Sequence, residues 1–367
     1  RLETPAENRA ALALALGPVL FGAVVCVARL VGLPLAAGAT AAIVAAAALW
    51  WGFPPRERFE VPRPSLAWIA FGIVLLIALV PLLHEPMRLR DDARLHLPVI
   101  QRVLAGEFPP GNPFLAGEPL AYFWFYHVVL AGASAVAPLP LDWLPPVLSL
   151  IALAALLLGV RGLARSLGGS ERAANYATLL VALGFTPWGW VRLLELQMSR
   201  PDLNWALIDA SGASGLFPIL SPQDPRLASF LTKIAVSNAL PMSLALTAVA
   251  LAPWPRTRRT WVPRVLAVSG ALLFHVATGV LLLAGLGMRW LVELAVTQKR
   301  FFAPGVALAA AALLPLPYLV TVFGSRSGSA AATFAFQPLQ ALSLFAALLG
   351  LALLALPAVH AGIKEPK

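Results

Sequence analysis

The chain has 367 residues, of which 59% are hydrophobic and 12% charged, with a formal net charge of +10. Against roughly 25% charged residues in a soluble domain, this composition excludes a water-soluble globule, which could not cover its surface with polar groups. The basic residues fall in short clusters between apolar blocks rather than along one amphipathic face. That pattern excludes a nucleic-acid groove and matches the way membrane proteins record their orientation.

The apolar blocks are about 20 residues long, the length a helix needs to cross the hydrocarbon. They lack the period-2 alternation of barrel strands, so helices follow. In chain order the spacing predicts spans at 10–30, 33–53, 65–83, 143–161, 174–191, 234–252, 263–279, 280–296, 301–322 and 338–360. The fold class expected is an all-α polytopic transmembrane bundle of about ten spans. It divides into an N-terminal hairpin over 1–64 and a core over 65–367. Cys26, the only cysteine, lies in the first block, so no internal disulfide can form. That first span could itself act as a signal anchor. Most of the 33 prolines punctuate span edges and loops, as at Pro54-Pro55, Pro109-Pro110 and Pro145-Pro146.

Five basic groups set the orientation: Arg56, Arg58 and Arg63; Arg161, Arg165 and Arg172; Arg256, Arg258, Arg259 and Arg264; Arg289, Lys299 and Arg300; Lys364 and Lys367. All five are cytoplasmic together only if 119–138 does not cross. That stretch carries five consecutive aromatics, Tyr122 to Tyr126, which suit the headgroup interface. It is therefore read as an interfacial or re-entrant helix, with His127 as an anchor beside the rings. Both termini are then cytoplasmic, in what is expected to be a bacterial inner (plasma) membrane. Loops 84–118, 192–233 and 324–337 face the other side, and the first two are long enough to carry function. The block 263–296 must cross twice with 34 residues, about 51 Å of helix where two crossings want about 60 Å. Two short helices are expected there, broken near His275-Val-Ala-Thr-Gly279.

The first external loop holds Asp91-Asp92, followed by Arg94 and His96. Adjacent acids just beyond a span can act as a general base or bind a hard cation such as Mg²⁺ or Mn²⁺ with substrate phosphate. Their plainer reading is a solvated acidic turn. His96 stands one helical turn beyond Asp92, on the same face. Outer-side bases able to meet a leaving phosphate are Arg200, Arg226, Lys233 and Arg326, each also readable as an interfacial snorkelling base. Asp224, in Ser221-Pro-Gln-Asp-Pro-Arg226, lies in a turn that could reach a site. Segment 195–209 could form an acceptor-binding helix or a solvated one. His275, near mid-membrane, is a functional candidate by position, with a helix–helix hydrogen bond as the alternative. No Gly-rich phosphate loop, zinc spacing or nucleophile elbow occurs.

The loop reads Asp91-Asp92-Ala-Arg-Leu-His96, then Leu104-Ala-Gly-Glu-Phe-Pro-Pro110, then Gly117-Glu-Pro-Leu120, then Tyr122-Phe-Trp124. This order resembles the first external loop of GT-C membrane glycosyltransferases, in particular the protein O-mannosyltransferase and lipid A aminoarabinose transferase branch. The resemblance covers about 35 residues closely, with weaker agreement through 140–320. It implies that Asp91 or Asp92 is the catalytic or metal-binding acid, that a polyprenyl-phosphate-linked sugar is the donor, and that the anomeric carbon inverts. The sequence departs from the family where Glu118-Pro119-Leu120 stands in place of a basic-Pro-Pro element, where two spans precede the family's first helix, and in having no C-terminal outer domain. A second class of function therefore stays open: a non-catalytic subunit of a larger membrane complex, docking through residues 10–53 among membrane lipids. A transporter is disfavoured, since paired intramembrane charges and an internal repeat are both missing from the sequence.

Overall fold

In the computed structural model the described residues are 6–52, 72, 91–115, 117–120, 122–137, 139–183, 239–252, 258–297 and 302–324. For 6, 49–52, 91–94, 182, 183, 258–260, 296, 297 and 302 this description is of the backbone alone. These residues form eleven α-helices: α1 (Ala6–Leu30), α2 (Leu35–Gly52), α3 (Asp91–Leu104), α4 (Phe125–Val136), α5 (Leu144–Ser166), α6 (Glu171–Leu183), α7 (Leu240–Leu251), α8 (Arg258–Phe274), α9 (Val276–Thr297), α10 (Phe302–Leu313) and α11 (Leu316–Gly324).

The all-helical class is as expected, but the described residues do not supply ten spans. Three helical stretches are long and apolar enough to cross a membrane: Glu7–Leu30, Leu141–Ser166 and Val276–Ala295. A fourth is added if α10 and α11, bent by 41°, count as one. The apolar stretches Leu35–Ala48, Leu240–Leu251 and Trp261–Phe274 are shorter. The expected spans at 65–83 (Gly72 apart) and 338–360 lie outside the described residues, and 174–191 is described only to Leu183.

The packing follows the sequence pattern of a lipid-solvated bundle. On α1, Ala11, Ala15, Val19 and Val25 are buried, whereas Leu20, Val24, Val27 and Leu30 are exposed. Alanines mark the buried face while both faces are apolar, an arrangement suited to a helix with lipid on its outer side. α1 packs against α5, α2, α4, α7 and α8. The N-terminal hairpin is therefore built into the same core as the later helices. At one crossing, a Cβ on Gly159 of α5 would lie 3.1 Å from the Ala248 methyl of α7 and 3.7 Å from that of Ala11, so small side chains let three helices close together.

Two breaks have local causes. Pro315 has no N–H to give the carbonyl four residues back. That carbonyl, Ala311 O, instead accepts the Ser269 hydroxyl of α8 at 2.9 Å, and the chain bends between α10 and α11. The α8–α9 break falls at His275, at the start of the expected stretch. There His275 caps α9: its Nδ1 accepts from the Thr278 N–H at 3.3 Å and meets the Thr278 hydroxyl at 2.8 Å. A Cβ on Gly279 would lie 2.6 Å from the Leu272 backbone, so only glycine lets the chain fold back this tightly. Contrary to the expectation of two short helices, α9 reaches full span length; only α8 is short in apolar residues.

Side-chain pairs sort the helix ends into two groups. At one end Glu7 of α1 meets Arg161 and Arg165 of α5, and Arg264 of α8 donates to Ala252 O beyond α7. At the other, Arg29 at the end of α1 donates to Gly106 O beyond α3. The first is called the basic end below, the second the α3 end.

Candidate functional site

The α3 end is built on a helical stripe. Buried His96, Val99, Ile100 and Val103 recur at i, i+3, i+4 and i+7, which places one face of α3 against α4. α3 stops at Gly106, whose φ of +98° is the left-handed turn that glycine takes without penalty. Glu107 N–H donates to Arg102 O and Gly106 N–H to Val103 O, the paired bonds of a Schellman stop. The Glu107 carboxylate then accepts from Arg102 Nη1 at 2.8 and 2.9 Å and from the Gly111 N–H at 3.2 Å. Asn112 N–H donates to Glu118 O at 2.9 Å, closing the strip opposite Pro119. The Gly-Glu-Phe-Pro-Pro turn is thus held by its own acid.

The Arg102 guanidinium and the Gly111 N–H together hold the Glu107 carboxyl below the usual glutamate range. A carboxyl with a depressed pKa supports the turn above the usual range and loses that support as pH falls through its own lower value. Carbon NMR titration of Glu107 is expected to show this low midpoint, and Arg102→Gln to move it up towards that of an ordinary glutamate. An unshifted midpoint in the native chain would mean that the Arg102 contact is not formed in solution.

Beyond Pro119, the second half of the aromatic run is covered by protein. Trp124, Phe125 and Tyr126 are only 5%, 2% and 1% exposed, because α4 is enclosed by α1, α2, α3, α5 and α8. Trp124 packs edge-on against Phe108 at 5.3 Å and Tyr318 at 4.8 Å. Phe125 meets Phe274 at 5.3 Å. The Tyr318 hydroxyl accepts the otherwise free Phe125 N–H in the first turn of α4, at 3.3 Å.

His127 is likewise no surface anchor. It is fully buried, and its Nε2 lies 2.8 Å from Nδ1 of the buried His96. Tyr126 and Tyr122 stand edge-on to His96 at 5.6 and 6.1 Å. Two ring nitrogens at that distance share one proton, one ring donating and the other accepting. A second proton would set N–H against N–H, so the pair holds α3 to α4 only while it carries at most one extra charge. Nδ1 of His127 has no well-formed hydrogen bond, although the backbone carbonyls of Trp124 and Phe123 act on the same ring.

Of the site residues expected from sequence, Asp91 and Asp92 are the first two residues of α3, with carboxylates outside the described residues. His96, one turn on, points into the protein and bonds His127 rather than standing open beside the acids. Arg200, Asp224, Arg226, Lys233 and Arg326 lie outside the described residues, as does the 195–209 segment. Among the described residues no three His, Cys, Asp or Glu side chains converge as a metal site. Sequence reading missed His127 and Tyr318 as members of this assembly. The i, i+3, i+4, i+7 stripe through His96 was the available signal that its ring turns inward.

Comparison with protein-family models, with curated proteins and with solved structures yields no match.

Proposed function

We propose that this chain is an integral membrane glycosyltransferase of the GT-C type, moving a sugar from a polyprenyl-phosphate donor to an acceptor at the external face. One observation carries this reading: an acidic pair opens a helix that is docked by a buried histidine pair onto a protein-enclosed aromatic helix, at the end of the bundle opposite Arg161, Arg165 and Arg264. With the basic end cytoplasmic, the acids face outward. The full proposal has ten spans, both termini inside, α4 re-entrant, and a bacterial inner membrane as its location.

The chemistry needs few groups. A carboxylate of Asp91 or Asp92 takes the acceptor's hydroxyl proton, and the freed oxygen attacks the anomeric carbon. The bond to the lipid phosphate breaks, its electron pair leaves with that phosphate, and configuration inverts. Arg200, Arg226, Lys233 or Arg326 balances the departing charge. Adjacent carboxylates are hard oxygen donors suited to Mg²⁺ or Mn²⁺, which would add charge neutralisation at the phosphate. The fixed turn from Gly106 to Leu120 and the His96–His127 bond would hold the start of α3 still while this happens.

The subunit alternative, docking through residues 10–53, has less surface to work with than the sequence suggested. One face of α1 is committed to the chain's own core, which leaves its outward Leu20, Val24, Val27 and Leu30 together with Ile43 and Val44 of α2 for a partner. Native mass spectrometry of the chain gently extracted from its own membrane separates the two. A bound polyprenyl phosphate or its sugar conjugate is expected. Stoichiometric protein partners with no such lipid would overturn the enzyme in favour of the subunit.

A further inference from the structure

The basic end carries an arrangement that sugar transfer does not use. Arg264, in the second turn of α8, spends one amine on Ala252 O at 2.8 Å. Its guanidinium carbon stands 5.4 Å from the Trp261 ring centre, while its Nε is buried with no hydrogen-bond partner. From α9, Arg289 and Glu293 come close enough for their charges to act on Arg264, the first repelling it and the second attracting it. Arg289 pairs with Glu293 at 3.0 Å yet remains 64% exposed. Among the described residues, two guanidinium groups from two helices therefore act around one carboxylate, and Arg264 keeps an unfilled donor. A Cβ on Gly305 would lie 2.5 Å from the Trp290 ring, so α10 closes against the same turn of α9.

We propose that Arg264 and Arg289 bind the headgroup phosphate of an anionic phospholipid in the leaflet at the basic end. A phosphate relieves the repulsion between the two cations and accepts from planar guanidinium donors in a geometry they match. The ligand is a lipid rather than a free anion because the adjoining surface of α9 is apolar. Met288, Leu291 and Val292 are all exposed beside Arg289, a surface suited to acyl chains, and Trp261 and Trp290, a residue type favoured near headgroups, adjoin the cations in sequence. Basic clusters between transmembrane helices are suited to such headgroups.

The test uses the full chain in nanodiscs of phosphatidylcholine with a minor fraction of phosphatidylglycerol, reading retained lipid by native mass spectrometry. Phosphatidylglycerol is expected to be retained in preference to phosphatidylcholine, and added inorganic phosphate is expected not to displace it. Arg289→Gln, an exposed change that leaves the Ala252 contact intact, should cut the preference about five-fold. Glu293→Gln removes the opposing charge and should raise it. Three results would each overturn the site: no preference in the unaltered chain, a preference unchanged by Arg289→Gln, or one lowered by Glu293→Gln. Displacement by inorganic phosphate would assign the cations to a soluble anion and overturn the lipid.

Discussion

Replacing Asp91 and Asp92 together by asparagine is expected to lower sugar transfer by about a hundred- to ten-thousand-fold, the usual range for loss of a positioned general base. Asparagine is the informative substitute because of where the residues stand. They open α3, where asparagine keeps the shape of aspartate and gives up only about 0.3–1 kcal/mol of helix-dipole attraction at each position. The exchange therefore keeps the helix signal and removes only the charge. Retention of the polyprenyl-phosphate donor and of thermal stability should be nearly unchanged, so that the loss falls on turnover. Full transfer by the double variant would remove the acids from the mechanism. Loss of stability alongside activity would instead place them in the scaffold.

The second large effect is expected at the opposite end. Glu7 and Arg161 are buried, each with a side chain about 5% exposed. Glu7 Oε1 accepts from Arg161 Nε at 3.4 Å and from Arg165 Nη1 at 2.8 Å. Arg161 also donates to Asn175 and Glu171 of α6. Beside them Asn8 donates to the Ser166 hydroxyl at 3.0 Å, and that hydroxyl donates to Gly162 O at 2.6 Å. The cluster ties α1, α5 and α6 together through two acids and two bases. Removing one member of a buried pair strands the other's charge, at a cost of about 3–5 kcal/mol. Glu7 keeps Arg165 at 2.8 Å when Arg161 is removed, so Arg161→Met is expected to destabilise the detergent-solubilised chain by less, about 1–3 kcal/mol, in thermal or denaturant unfolding. Combining it with Glu7→Gln should cost less than the sum of the two changes, because no buried charge is then left unmatched. A single variant within about half a kcal/mol of the native chain, the usual effect of a surface change, would show that water reaches the pair.

The parts of the molecule legible in the sequence are those that rest on local pattern. α1, α2 and α5 follow from apolar blocks of span length, and the break at His275 from a length too short for two crossings. The Gly106 turn was visible as Gly-Glu-Phe-Pro-Pro, a cluster of residues that stop helices. What was missed depends on contacts between distant segments. His96 and His127 are 31 residues apart and Glu7 and Arg161 are 154 apart, so no periodicity links them. Arg161 and Arg165 were legible as markers of orientation, but their role as partners of buried acids was not. The aromatic run was assigned to the headgroup surface because rings of that kind prefer it. What that preference did not reveal is that Phe125 to Gly132 are covered by other helices of the same chain.

The place of α1 at the centre of the bundle also has a consequence in time. α1 precedes the other described helices in synthesis, yet its polar partner Arg161 follows Glu7 by 154 residues. At about 5–20 residues per second, the gap is about 8 to 30 s. Throughout that interval the nascent chain holds a helix whose acid lacks Arg161 and whose α5-facing side is uncovered, although α2 and α4 can already pack on it. Shielding by the insertion machinery, or by neighbouring lipids, has to last until α5 emerges. A chain halted before Ser166 should therefore remain a substrate for membrane quality control, however well α1 itself is inserted.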